Sequence, residues 1–150
     1  MYRFKYGNRR TYAEFFADEV QKHYGEWIKR IRVEAVVPVP MYHRKEKQRG
    51  YNQASVFAKK IAEFFGLAYE PGAVRRIVDT KPQKELNDEE RKNNLKNAFQ
   101  AEKFIVKYKY VLLVDDIYTT GSTAEAVAGQ LVAAGVEKVF FLSACIGNGY

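Results

Sequence analysis

Cysteine is nearly absent. Cys145 stands alone in 150 residues, which excludes an intramolecular disulfide and any multi-cysteine zinc finger. With two histidines, His23 and His43, there is no Ser-His-Asp set or metal-ligand cluster to support a hydrolase. No apolar stretch approaches the ~20 residues that span a bilayer. The first ten residues, MYRFKYGNRR, lack the apolar stretch of a secretory signal. A cytoplasmic location without membrane insertion is therefore expected. Internal repeats, low-complexity tracts and Pro/Gly-rich linkers are missing too, so residues 1–150 are expected to form one domain.

What remains is a basic globular chain. Hydrophobic residues make up 47% and charged residues 29%, and 25 Lys and Arg against 18 Asp and Glu leave a net charge of +7. That balance suits nucleic acid or a small polyanion equally. Part of it is local: Arg44, Lys45, Lys47 and Arg49 face one acid, Glu46, in a segment that reads as a loop after a strand. A phosphate-binding role and a solvated basic loop both fit. His43 begins that loop, and His23 reads as a surface or boundary residue of a helix.

The pattern alternates strand and helix. Thr11 with Glu14 resembles a capping box, and Tyr12, Phe15, Phe16, Val20, Tyr24, Trp27, Ile28 and Ile31 follow at helical spacing as a core-facing stripe. Residues 35–39 read as a buried strand ended by Pro38 and Pro40. A helix over 52–65, burying Val56, Phe57, Ile61, Phe64 and Phe65, closes at Gly66. A strand over 74–78 precedes a polar loop, 80–88, and a charged, partly helical stretch, 88–98. Later, Ala124, Val127, Leu131 and Val132 describe a helix stopped by Gly135, and 139–144 a last strand. Cys145 follows it, where packing is the ordinary role of a lone cysteine. The expected fold is α/β: a parallel, Rossmann-like sheet flanked by helices, with ligand at the carboxyl ends of the strands.

The most informative run is VLLVDDIYTTGST, residues 111–123. Val111, Leu112, Leu113 and Val114 read as a strand buried on both faces, followed by Asp115 and Asp116. Thr119, Thr120, Gly121, Ser122 and Thr123 then lead into a helix. Backbone N–H groups at a helix start suit a phosphate, and two acids suit ribose hydroxyls. Tyr118 would pack beside the sugar or point outward. A plain strand–turn–helix junction, capped by Asp116 or Ser122, is the competing reading.

DDIYTTGST on a buried strand resembles the signature of type I phosphoribosyltransferases, which bind phosphoribosyl pyrophosphate (PRPP). The string Arg49–Gln53 within VPVPMYHRKEKQRGYNQA, and TKPQKELNDEERKNNLKNAF after it, resemble the ComF group of such proteins, associated with competence and DNA uptake. That resemblance implies a type I fold with a minimal hood, since the tail IGNGY is short, and it implies a homodimer. It implies Asp115 and Asp116 at the ribose, Thr119–Thr123 at the 5′-phosphate, and Pro40, Met41, Arg44 and Arg49 on the pyrophosphate side. Thr80, Gln83 and Arg91 would belong to a flexible closing loop. Mg²⁺ would enter with PRPP and water rather than through direct protein ligands. The implied reaction transfers phosphoribose to an unidentified nitrogen acceptor and releases pyrophosphate. The alternative is a non-catalytic accessory protein that binds single-stranded DNA or competence proteins. The family's usual cysteine-rich zinc segment has no counterpart in this sequence.

Overall fold

The computed structural model describes residues 11–78 and 87–147. Helix α1 (Thr11–Ile31) leads into strand β1 (Ala35–Pro38), then α2 (His43–Arg49) and α3 (Gln53–Phe65). Strands β2 (Ala68–Tyr69) and β3 (Val74–Arg76) follow, then α4 (Asp88–Lys96) and β4 (Phe99–Ala101). A 3-10 turn (Lys103–Lys107) precedes β5 (Tyr110–Tyr118), α5 (Ser122–Ala133) and β6 (Lys138–Ile146).

Four strands form one parallel sheet in the order β2-β1-β5-β6. At its centre Ala35, Val36, Val37 and Pro38 pair with Val111, Leu112, Leu113 and Val114. All eight are buried, as strands covered on both faces must be. Their side chains alternate between two cores. Val37, Val111 and Leu113 meet Val127 and Leu131 of α5, whereas Val36, Leu112 and Val114 meet α1 and α3 through Val20, Ile28, Phe57 and Ile61. Strands β3 and β4, on either side of α4 in sequence, pair antiparallel and pack into the α5 core through Val74 and Phe99.

Side chains set the joints. The Glu34 carboxylate accepts from the N–H groups of Lys109 (2.5 Å) and Tyr110 (3.1 Å), aligning the starts of β1 and β5. Asn52 caps α3 by accepting from Ala54 N, and Gly66 ends it in the left-handed conformation at φ 63°. Ser55 Oγ and Tyr69 Oη, 2.5 Å apart, fasten β2 to α3, and burial pushes the Tyr69 phenol up from its usual pKa.

The expected α/β architecture is present, with local corrections. The basic segment is not a loop: His43–Arg49 is a helix, closed by Gly50 at φ 81°, with no buried residue. A turn of helix satisfies its backbone without needing an apolar face. The α1 stripe is not core throughout; Phe15 and Tyr24 are 57% and 53% exposed, while Ala13 and Ala17 are fully buried. Phe64 and Val132 are exposed as well, because each lies off the face its helix turns to the sheet. The strand expected over 74–78 stops at Arg76, where pairing with Phe99 ends. Strands β2 and β4, two and three residues long, carry too little periodicity to read from sequence. Cys145 lies within β6, not after it. Among the described residues no helix is long and apolar enough to cross a membrane.

Leu112 is fully buried between the central strands and α3, so Leu112→Ala should lower the unfolding free energy by about 2–5 kcal/mol. Val132→Ala, at a 53% exposed position, should change it by less than ~0.5 kcal/mol. Urea denaturation checks both.

Candidate functional site

Chain order reverses between β1 and β5. From β1 the chain moves outward to β2, then returns to lay β5 on the other side of β1. In an open parallel sheet, the helices following two such strands depart to opposite faces and leave a crevice at their carboxyl ends. Here α3 follows β1 on one face, and α5 follows β5 on the other.

The signature residues occupy that crevice. Strand β5 continues four residues past Val114, to Tyr118, because β6 pairs alongside it with Asp115 opposite Ser143 and Tyr118 opposite Ile146. The acids therefore belong to the strand rather than to the loop after it. Asp115 joins Thr119, Gly121, Thr123 and Ala124 around a small cleft of about 40 Å³, with Ile117, Tyr118 and Phe141 completing the wall. Asp116 is half-buried but does not line that cleft, as expected where successive strand residues face opposite sides. Its N–H donates to Asp115 Oδ1 at 2.8 Å, which orients the first carboxylate.

The loop closes on a left-handed glycine. Gly121 is the N-cap of α5 at φ 83°, and neither Asp116 nor Ser122 caps the helix. Thr120 Oγ1 and Ser122 Oγ lie 3.0 Å apart at the loop's outer side. The early N–H groups of a helix have no intrahelical acceptor, and those of α5 start beside Thr123 and Ala124 in the cleft wall. Tyr118 is the residue that sequence alone did not assign. A Cβ on Gly121 would lie 2.8 Å from its hydroxyl, and its ring packs on Phe141 with centroids 5.8 Å apart. Only an aromatic residue beside a loop glycine hinted at it.

The pyrophosphate-side candidates stand at the neighbouring strand end. Val39 N donates to Val114 O at 2.8 Å, so Pro40 leaves the sheet next to Asp115. Pro40 and Met41 are half-buried, Arg44 is exposed on α2, and Arg49 is half-buried at its last turn. None of the four lines the Asp115 cleft. His43 is exposed at the start of α2, and His23 is exposed on α1, 3.4 Å from Glu19. Thr80 and Gln83 lie outside the described residues, as does the side chain of Arg91, whose backbone belongs to α4. Among the described residues no group of three or more His, Cys, Asp or Glu could hold a metal ion.

No protein-family model matches the chain. Competence protein F of Haemophilus influenzae is 38% identical over 108 residues, 71% of this chain and 47% of that protein. The DNA utilization protein YhgH of Salmonella typhi is 36% identical over 104 residues, 69% of this chain and 45% of that protein. Both proteins are homologues of the chain. The chain spans about half the length of these curated relatives. An amidophosphoribosyltransferase of Haemophilus influenzae is 28% identical over 125 residues, 83% of this chain and 23% of that enzyme.

Gly121→Ala forces a side chain into the left-handed region and against Tyr118, so it should lower stability by about 1–2 kcal/mol or more. Adding Tyr118→Ala removes the clash but not the backbone cost, so the double variant should recover part of the loss beyond additivity. Thermal denaturation of the four proteins in that cycle measures it.

Proposed function

We infer that the crevice between β1 and β5 binds PRPP and that the protein is a phosphoribosyltransferase. The observation that carries this reading is the Asp115 cleft. One carboxylate, a glycine-bent hydroxyl loop and a helix start meet at the switch point of a parallel sheet. Few ligands other than a sugar phosphate use all three. The similarity to an amidophosphoribosyltransferase supports the same chemistry, and the competence and DNA-utilization names of the homologues point to a role in DNA uptake.

In this reading the 5′-phosphate sits on the Thr119–Thr123 loop and the early N–H groups of α5. Asp115, in the cleft wall, and Asp116, beside it at the strand end, together orient the ribose hydroxyls and the hydration shell of the metal. The pyrophosphate faces the Pro40–Met41 backbone and the cations of α2, Arg44 first among them, with Arg49 near the end of that helix. Mg²⁺ is a hard cation that keeps much of its water shell, and the carboxylate oxygens of this site fit its outer sphere. When bound with PRPP it would neutralise charge on the departing pyrophosphate. A nitrogen nucleophile attacks C1 as the C1–O bond breaks; pyrophosphate leaves with the electron pair, and the nitrogen loses its proton to solvent. The protein's contribution is positioning and electrostatics. Thr80, Gln83 and Arg91 are proposed to close over the site.

Single-stranded DNA binding is the second reading. It is favoured by the exposure of every α2 residue from His43 to Gln48, which carry Arg44, Lys45 and Lys47 to solvent, and exposed Phe15 and Tyr24 on α1 are rings on which bases can stack.

Calorimetric titration with PRPP, with and without Mg²⁺, tests the first reading. Asp115→Asn and Asp116→Asn should each weaken PRPP by about 1.5–3 kcal/mol, the usual worth of a hydrogen bond to a charged group, and leave inorganic phosphate unaffected. Absence of PRPP binding by the folded protein defeats it. For the second reading, oligonucleotide affinity should fall steeply with salt as counterions are released, and Arg44→Ala with Lys47→Ala should flatten that slope.

A further inference from the structure

We propose that Asn52 is a positioning residue for the pyrophosphate side of the site, acting through the carbonyl of Val39. This rests on the PRPP reading and deepens it.

Asn52 is buried, 8% exposed, between two buried neighbours, Tyr51 and Gln53. Its side chain makes two hydrogen bonds of opposite sense. Nδ2 donates to Val39 O at 3.0 Å, and Oδ1 accepts from Ala54 N at 3.1 Å. The second is an ordinary N-cap of α3. The first is not needed for capping, and it reaches across 13 positions of sequence. Val39 is the last residue tied to the sheet, through its N–H to Val114 O. Its carbonyl, one atom before the Pro40 nitrogen, is therefore held by a side chain instead of a strand. The chain leaves the sheet at Pro40, makes all of α2, and comes back to the same point at Asn52. One carboxamide thus clamps both ends of the excursion that carries Met41, Arg44 and Arg49.

The Asp115 cleft does not share this clamp. Its wall is built from β5, the following loop, α5 and Phe141. A change at Asn52 should consequently alter how the molecule receives pyrophosphate without altering how it receives ribose 5-phosphate. A purely structural role predicts that both fall together.

The test is a pair of ligands on three folded proteins. Wild type, Asn52→Ala and Asn52→Ser are titrated with PRPP and with ribose 5-phosphate in Mg²⁺, with circular dichroism verifying the fold. Serine is a good N-cap with no added charge, but it is too short to keep the Val39 bond, so it guards against loss of α3. Both variants should weaken PRPP by about tenfold or more, the scale expected for a small misplacement of binding groups, and change ribose 5-phosphate by less than about twofold. Amide hydrogen exchange at Met41 and Tyr42 should speed up in Asn52→Ser. Equal losses for both ligands, or none for either, would overturn the proposal. A wild type that binds neither ligand removes the PRPP reading itself, and the proposal with it.

Discussion

The pairing of β1 with β5 is the constraint on which the rest depends. These strands are distant in sequence, yet their four paired positions are buried without exception. Because side chains alternate, six of these residues are shared between the two cores, Val37, Val111 and Leu113 on one face and Val36, Leu112 and Val114 on the other. A shift of register by one residue would exchange the two faces and set Leu112 where Leu113 belongs. The Glu34 carboxylate guards against that at one end, holding the N–H groups of Lys109 and Tyr110. At the other end, the Val39 N–H to Val114 carries the pairing up to the threshold of the site.

The site inherits its geometry from that pairing. Asp115 directly follows the buried run Val111–Val114 within β5 and pairs with Ser143 of β6, so the sheet fixes its backbone position. Flexibility enters only beyond the sheet. On the β5 side a left-handed glycine turns the chain into α5 under the hydroxyl of Tyr118. On the β1 side a basic helix with no buried residue hangs from a carboxamide clamp. Rigid strand ends with adaptable loops above them are the usual division of labour in parallel α/β proteins.

The two edges of the sheet differ. Strand β2 has two residues, too short to template another chain, whereas β6 has nine. Tyr118 and Phe141 stand where β6 meets the cleft, and they also wall a larger groove of about 360 Å³ that includes Tyr24 and Trp27 of α1. Aromatic residues that read as one core stripe along α1 are divided among the interior, this groove and, for Phe15, the open surface. Helical spacing finds the face that packs, but not its width, which depends on how closely small residues such as Ala13 and Ala17 let the helix approach.

Much was legible in the order of residues alone. The apolar run 111–114, the two acids, the hydroxyl loop and Gly121 identify a strand, a turn and a helix start, because each is dictated by local chemistry within a few positions. The α/β alternation and the Gly66 end of α3 follow in the same way. What only the tertiary structure decided depends on contacts between distant segments. Sheet order made β1 and β5 neighbours, pairing with β6 drew the acids into the strand, and pleating separated Asp115 from Asp116. The contacts of Tyr118 and Asn52 were decided there too. Tyr118 needed Phe141 from another strand beside it, and the Asn52 amide needed a carbonyl brought back from 13 residues upstream. Local propensity encodes elements; only closure of the chain encodes which atoms meet.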